Sequence, residues 1–225
     1  YAIDKNTPAG KRVMYSPYKP DEQQASLMQA ASGFGVAQGL HIQKPEYCAA
    51  CHTLYTPYVD AKGQVAGEFP EQMAYAEWSN SGLRNSTTCQ GCHLPAAQGE
   101  VKTAIMSNIP RQPFGQHTFV GGNVYMLKLL ATLGKELETT AATDHFQETL
   151  LRTFAQLQKT TAAVALEDVS LSGTQLTANV AIKNLSGHKF RTGFPSRRAC
   201  IHLTVQNAGG QVIFESSAFR PNGLI

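Results

Sequence analysis

Two five-residue segments of the C-x-x-C-H type constrain this chain more than any other feature of its sequence. They are CAACH at Cys48–His52 and CQGCH at Cys89–His93. C-x-x-C-H is the attachment signature of c-type haem, because two thiols three residues apart can add to the two vinyl groups of one porphyrin. The histidine that follows is then placed to ligate the iron from one side. The sequence therefore predicts two covalently bound haems.

Each motif is predicted to supply two residues for haem attachment and one iron ligand. The predicted attachment residues are Cys48, Cys51, Cys89 and Cys92, and the predicted proximal iron ligands are His52 and His93. The alternative is a zinc site, since two C-x-x-C pairs could close a four-thiolate cluster around one ion. A histidine directly after both pairs has no role in such a cluster, so haem is favoured. The fifth cysteine, Cys200, is interpreted as a small unreactive residue.

Composition places the chain among folded, exported proteins. Its 225 residues are 42% hydrophobic and 16% charged, which is typical of a globular chain. The formal charge of +3 is largely offset by the propionates of two haems, so no nucleic-acid partner is expected. No apolar run approaches the length of a membrane span. Because c-type haem is attached outside the bacterial cytoplasm, a periplasmic or extracellular protein is expected, and the polar start at Tyr1 fits a mature exported product.

The patterning predicts an α+β fold in three parts. Residues 1–115 are rich in Pro, Gly and polar clusters, and are interpreted as a loop-rich dihaem cytochrome c domain in which the haems supply the core. Two short helices are predicted there, from Pro20 to Ser32 and from Pro70, with Glu71 in its first turn, to Gly82. Trp78, between the motifs, could pack on a porphyrin or in an ordinary core.

A helical hairpin is predicted over residues 116–162. Its first helix has Asn123 as N-cap and a leucine stripe that continues to Leu137. Its second helix has Asp144 as the cap, with Gln147 completing a capping box. Because only Glu138–Thr143 joins the two helices, an antiparallel hairpin is predicted.

A small antiparallel β-sandwich-like domain is predicted over residues 163–225. The apolar period becomes two in the segments that contain Leu176–Lys183, Ala199–Val205 and Val212–Phe214. The Asn207–Gly210 turn predicts a hairpin between the last two. About 60 residues is short for a complete sandwich.

The ligand on the second side of each iron decides what a haem can do. His117 and His188 both lie in glycine-rich loops, away from regular apolar stripes, and are the leading candidates. His41 is the alternative distal ligand, and Met14 or Met28 would give His/Met ligation with a raised potential. Histidine on both sides is favoured.

A basic loop surrounds His188. Arg197 and Arg198 are predicted to pair with haem propionates, because Arg forms bidentate contacts with carboxylates. The alternative is a solvated loop or a partner-docking patch. The cations of this loop and its flanks are Lys183, Lys189, Arg191, Arg197 and Arg198.

At these residues the chain resembles a family of multihaem c-type cytochromes of bacterial respiration. The resemblance implies that His117, in an H-x-F-x-G-G-N element, and His188, in a G-H-K-F element, are distal haem ligands. It also implies a longer relative, of which this chain is a shortened version. The segments that carry it are Tyr47–Pro57, Gly67–Trp78, Cys89–Pro95, His117–Asn123 and Gly187–Arg198.

Three functions are compatible with these features. The leading one is a dihaem protein that relays electrons between redox partner proteins, without chemistry of its own. The second is a haem enzyme that acts on a small nitrogen or sulfur compound at one open iron. The third is a structural subunit of a larger cytochrome assembly. The first two differ in whether both irons carry six ligands.

Overall fold

The protein combines short helices with small, mostly antiparallel sheets in an α+β arrangement. The structure, a computed structural model, describes residues 6–105, 108–190, 192–194 and 197–221. Tyr1 and Arg191, which the sequence analysis considered, lie outside these ranges. Within them, no helix is both long and apolar enough to cross a membrane.

After a short 3-10 helix (Ala9–Lys11), the described chain forms a parallel strand pair that the sequence patterning did not predict. β1 (Val13–Ser16) pairs in parallel with β2 (Gly35–Gln38), and α1 (Glu22–Ser32) makes the crossover between them. The Asp21 carboxylate accepts from the Gln24 N–H at 2.7 Å and completes a capping box. Gly33, with φ of 75°, ends the helix in the left-handed conformation that glycine adopts readily. The first predicted helix is therefore confirmed to within two residues.

The predicted helix start at Pro70 is wrong. Pro70 lies in a β-strand, where it stands opposite Tyr55 of the paired strand. In this two-stranded sheet, one edge of the strand makes no ladder bonds, so a residue without an N–H is tolerated. The helix begins only after the strand ends. The elements of this region are α2 (Pro45–His52), β3 (Leu54–Val59), β4 (Val65–Gln72), α3 (Ala74–Ser79) and α4 (Cys89–His93).

The predicted helix pair is present, with different ends. After the short β5 (Val101–Lys102) and β6 (Pro110–Arg111), α5 (Val124–Thr132) and α6 (Thr143–Lys159) pack against each other. Asn123 caps α5, as predicted, by accepting from the Met126 N–H at 3.0 Å. α5 ends at Thr132, before Leu133 and Leu137 of the predicted stripe.

The predicted cap of α6 is also wrong. Ala142 is the N-cap, so Asp144 lies inside the first turn. The Asp144 carboxylate there accepts from the neighbouring His145 N–H at 3.0 Å instead of closing a box with Gln147.

The last part of the described chain forms two separate antiparallel hairpins. β7 (Ala162–Ser172) pairs with β8 (Gln175–Asn184), and β9 (Leu203–Gln206) pairs with β10 (Val212–Ser216). The Asn207–Gly210 turn is confirmed, since the Asn207 N–H donates to the Gln211 carbonyl and the Gly210 N–H to that of Asn207. Ala199 and Ile201 lie before the strand rather than in it. A sandwich, and the domain boundaries at 115/116 and 162/163, stay predictions.

The polypeptide alone has very little interior. Its accessible surface is 17293 Å², whereas a globular chain of 24.3 kDa exposes about 10,000 Å². Among the described aliphatic and aromatic side chains none is fully buried, and Thr153 is the largest side chain that is. Among the described residues, large apolar side chains therefore remain exposed on most of the helices and strands.

Candidate functional site

Both C-x-x-C-H motifs form short helices. α2 starts with Pro45 at its first turn, a position where the missing N–H costs nothing, and ends with His52. In α4 the Thr88 side chain accepts from the Gly91 N–H at 3.1 Å and caps the helix. Each motif therefore winds its two cysteines and its histidine into about one and a half turns.

Gln90, inside the second motif, ties the two motif helices together. Its Nε2 donates to the Ile42 carbonyl at 3.0 Å and to the Lys44 carbonyl at 2.8 Å. Lys44 is the N-cap of α2. The middle of one motif is thus hydrogen-bonded to the entry of the other.

The first cysteines of the two motifs meet. Burial, together with the neighbouring Cys48 thiol, raises the pKa of Cys89 to about 11. Burial also raises the pKa of Cys48, although the hydrogen bond from Cys89 works in the opposite direction. Both thiols are protonated near neutral pH and in mutual contact, while Cys51 and Cys92 are exposed.

His93 is held with one ring nitrogen free. Its Nδ1–H donates to the Val120 carbonyl at 2.9 Å, since a carbonyl can only accept. Burial lowers the pKa of His93, as do the nearby His188 and His52, against the opposing effect of the Val120 hydrogen bond. The ring is therefore neutral near pH 7, with its Nε2 lone pair available.

His188 faces His93 from the other half of the chain. The two ring centroids are 6.4 Å apart and the ring planes differ by 15°. The Nδ1–H of His188 also donates to a backbone carbonyl, that of Lys189, at 3.1 Å. A pair of stacked aromatic rings can have its centroids at this distance without a metal. In this pair, however, Nδ1 of each ring is hydrogen-bonded to a carbonyl, which leaves Nε2 as the other nitrogen of each ring.

The spacing of these rings fits a metal between them. A metal ion bonded to one nitrogen of each ring at about 2.0 Å would hold the ring centres roughly 6 Å apart. His93 follows directly after Cys92, so a porphyrin attached at the second motif would bring its iron to this place. These two residues would hold the iron of such a haem, which would supply one-electron redox chemistry.

A cavity of about 1170 Å³ lies beside His188. It is larger than the 300 to 1,000 Å³ typical of small-molecule sites, and its walls mix aromatic, aliphatic and acidic side chains. They come from β3, β4, α3, the turns that follow α3 and the His188 loop, and include Tyr55, Phe69, Met73, Glu77, Leu83 and His188.

The remaining candidate ligands are not brought face to face. His52 is exposed at the end of α2, near enough to His93 to lower its pKa. His117 is exposed and packs against Phe119 with 5.8 Å between centroids. His41 lies between Tyr15 and Tyr47, at 5.1 and 6.2 Å. Its aromatic packing suits a structural side chain.

The loop that contains His117 is bonded to the second motif. The Phe119 N–H donates to the His93 carbonyl at 3.2 Å, and the next residue, Val120, accepts from the His93 ring. Phe119 has a φ of 45°, an uncommon conformation for a bulky residue. Strained backbone of this kind concentrates at functional sites.

Arg197, Arg198 and Cys200 are all exposed. The Arg197 guanidinium donates from Nη1 to the Thr192 carbonyl at 3.3 Å, within its own loop. The predicted contacts of Arg197 and Arg198 with haem propionates stay predictions.

The four motif cysteines are not arranged as a zinc cluster. Among the described residues, no group of three or more His, Cys, Asp or Glu side chains is placed to hold a bare metal ion.

Two residues of this region were missed by sequence reasoning. Gln90 occupies a variable position of the motif, and no local pattern reveals its long-range contacts. Glu77 accepts a hydrogen bond from the Lys189 N–H at 3.0 Å. Glu77 lies in the Gly67–Trp78 segment of the family resemblance, but no sequence signal distinguishes it there.

No protein-family model matches the chain, and no curated protein matches it in sequence. Its fold is similar to the crystal structure of a penta-haem cytochrome c552 from Thermochromatium tepidum, with a TM-score of 0.51 and 18% identity. The similarity covers 93% of this chain and 44% of the cytochrome chain. The chain thus spans less than half the length of that protein, and the two are alike in fold.

Proposed function

We propose that this chain is a dihaem c-type cytochrome unit that relays electrons between redox partner proteins. The observation that carries the proposal is the pair His93 and His188, which face each other at 6.4 Å with both Nδ1–H groups bonded to backbone carbonyls. The likeness in fold to a penta-haem cytochrome supports the general kind of protein.

The second motif offers the better-defined haem site. Cys89 and Cys92 would form the thioethers, His93 would be the proximal ligand and His188 the distal one. The haem supplies one-electron redox chemistry. Because histidines on both sides leave no position for a small substrate, this iron is suited to electron transfer rather than catalysis.

The first motif would hold its haem through Cys48 and Cys51, with His52 as the proximal ligand. His117 is the proposed distal ligand because of its element in the resembling family, and His41 is the alternative. The aromatic packing of His41 between Tyr15 and Tyr47 favours His117.

The two haems would be close neighbours. The Cys48 and Cys89 thiols interact directly, and Gln90 joins the two motif helices. Porphyrins attached at these cysteines would meet near their vinyl edges, which favours rapid electron exchange between the irons.

Several finer features belong to the same proposal. The protein would be exported to the periplasm or the cell exterior, where haem attachment takes place, and would serve respiration. Its partners would be other redox proteins, including further cytochrome subunits of a larger assembly. Arg197 and Arg198 would contact haem propionates.

Mass and spectroscopy of the purified protein test the proposal. The denatured chain should weigh two haem masses more than the polypeptide. Electron paramagnetic resonance should show low-spin iron at both haems, and carbon monoxide should bind slowly or not at all. A chain without bound haem would overturn the proposal, and rapid carbon monoxide binding by the native protein would favour an enzyme.

Replacement of His188 tests the ligand assignment. His188→Ala should convert one haem of the two to a high-spin form that binds carbon monoxide, and His117→Ala should do the same at the other haem. His202→Ala is the matched control, because that ring pairs with Glu215 at 2.8 Å in the last hairpin. An unchanged spectrum in His188→Ala would refute the His93–His188 pair.

A further inference from the structure

Glu77 connects the N-terminal half of the chain to the loop that contains His188. It lies on α3, and its carboxylate Oε2 accepts from the Lys189 N–H at 3.0 Å across 112 positions of sequence. Its side chain is only 15% exposed. A hydrogen bond to a carboxylate from a backbone N–H is charge-assisted and stronger than a neutral one.

The contact is made by the backbone of the loop more than by the Lys189 side chain. The Lys189 ammonium lies 3.9 Å from Glu77 Oε1, and that side chain is 80% exposed. An ion pair so open to solvent contributes little. The backbone hydrogen bond, in contrast, is independent of the residue type at position 189.

Hydrogen bonds within the loop also fix the backbone at His188. The His188 carbonyl accepts from the Asn184 amide at 2.7 Å and from the Ser186 hydroxyl at 2.8 Å. Gly187 has a φ of 69°, and a Cβ there would come within 3.1 Å of Leu83 Cδ1. These contacts shape the loop, and Glu77 attaches it to α3.

We propose that Glu77 is a positioning residue for His188: its carboxylate holds the Lys189 backbone so that the His188 ring stays opposite His93. The proposal rests on the assignment of His188 as a distal haem ligand. Lys189 makes both contacts: its N–H donates to Glu77, and its carbonyl accepts from His188 Nδ1. By fixing the Lys189 backbone, the carboxylate therefore also fixes the acceptor that orients the His188 ring.

Glu77 also brings a negative charge to the edge of the cavity that His188 borders. A negative charge near a haem stabilises the oxidised form, which is one unit more positive than the reduced form. Removal of this charge should therefore raise the midpoint potential of that haem. This effect is separate from ligand positioning and follows charge alone.

Three substitutions separate two properties of Glu77: the length that brings its acceptor oxygen to the Lys189 N–H, and its negative charge. Glu77→Ala removes both, and Glu77→Asp keeps the charge but withdraws the carboxylate by one methylene. Glu77→Gln keeps an acceptor oxygen at the same reach without the charge. The measurements, made on the holoprotein, are the low-spin signal, the binding of carbon monoxide and the midpoint potential of each haem.

Glu77→Ala and Glu77→Asp should show an increase of about tenfold in the fraction of haem that binds carbon monoxide, as expected for the loss of a charge-assisted hydrogen bond. Glu77→Gln should keep the low-spin, unreactive haem but raise its potential. Glu68→Ala, an exposed carboxylate on β4, is the matched control and should leave all three measurements unchanged.

Glu77→Ala and Glu77→Asp with wild-type spin state and carbon monoxide binding would overturn the positioning role. If Glu77→Ala is not recovered as holoprotein, the milder Glu77→Asp decides by itself. A wild-type protein that already binds carbon monoxide at this haem, or His188→Ala with an unchanged spectrum, would instead refute the proposed function. The two failures are therefore distinguishable.

Discussion

At the scale of single residues, the hydrogen bonds of two imidazoles determine which ring nitrogens could bind a metal. His93 and His188 each donate their Nδ1–H to a backbone carbonyl, of Val120 and Lys189. This arrangement selects one tautomer and one ring orientation, as the outer hydrogen bonds of metal-binding histidines do. Burial keeps His93 neutral by lowering its pKa. In both rings, Nε2 is the nitrogen that the Nδ1–H hydrogen bond leaves for a metal.

The charges of Arg197 and Arg198 give a prediction at the same scale. A double Arg197→Gln, Arg198→Gln variant should lower the midpoint potential of one haem by roughly 20 to 60 mV, because positive charge near a propionate favours the reduced state. Protein-film voltammetry or a potentiometric titration measures this shift. Lys62→Gln, at the exposed β3–β4 turn, is the control. Two unchanged potentials would mean that the loop serves solvent or a docking partner instead.

At the scale of elements, the two motif helices act as a joined pair. α2 and α4 contact each other, the Cys48 and Cys89 thiols interact, and Gln90 bonds to the segment that leads into α2. These helices have eight and five residues, too short to be stable alone. Their geometry must therefore come from each other and, under the proposed function, from the haems that would be attached to them.

Gln90→Glu tests this joint. The carboxylate is nearly isosteric but cannot donate, so the hydrogen bonds to the Ile42 and Lys44 carbonyls are lost and the oxygens repel. The free energy of unfolding should fall by about 1 to 3 kcal/mol, measured by denaturant titration of the holoprotein. Magnetic coupling between the haems, read by electron paramagnetic resonance, should also change. Gln64→Glu, at an exposed turn, should change neither; equal effects in both variants would contradict the role.

The sequence predicts the elements whose signals are local. The end of α1 at Gly33, the Asn123 cap, the Asn207–Gly210 hairpin and the two motifs are all visible as short patterns. The helix predicted to start at Pro70 is wrong, because pairing of the Pro70 strand with the Tyr55 strand overrides the preference of proline for a helix start.

What the sequence could not provide is the matching of distant partners. His188 was a candidate from its loop, but its position opposite His93 depends on packing between separate parts of the chain. Glu77 and Gln90 were missed for the same reason, since each acts through a backbone group far away in sequence.

At the scale of the whole molecule, the dominant fact is the exposed surface of 17293 Å². Large apolar side chains stay accessible along almost every element, among them Leu27, Tyr47, Phe119 and Leu151. Exposed apolar surface of this extent marks sites where a ligand or another protein binds. Two porphyrins and redox partner proteins are what the proposed function would place there.

Removal of the haems should therefore abolish the folded state. A variant in which Cys48, Cys51, Cys89 and Cys92 are all changed to Ser cannot attach porphyrin. It should show no cooperative unfolding transition in calorimetry, whereas the holoprotein should unfold in one. A sharp transition in the haem-free variant would show that the polypeptide has a sufficient core of its own.

The pairing of His93 with His188 has a topological consequence. An iron held by both would cross-link two points of the chain and close a loop of roughly 100 residues, in the manner of a disulfide. Loops of this length lose about 4 to 5 kcal/mol of closure entropy in the unfolded state on the chain-entropy model. A chain nicked between these histidines would remain one molecule, because its two pieces would still be tethered through the metal.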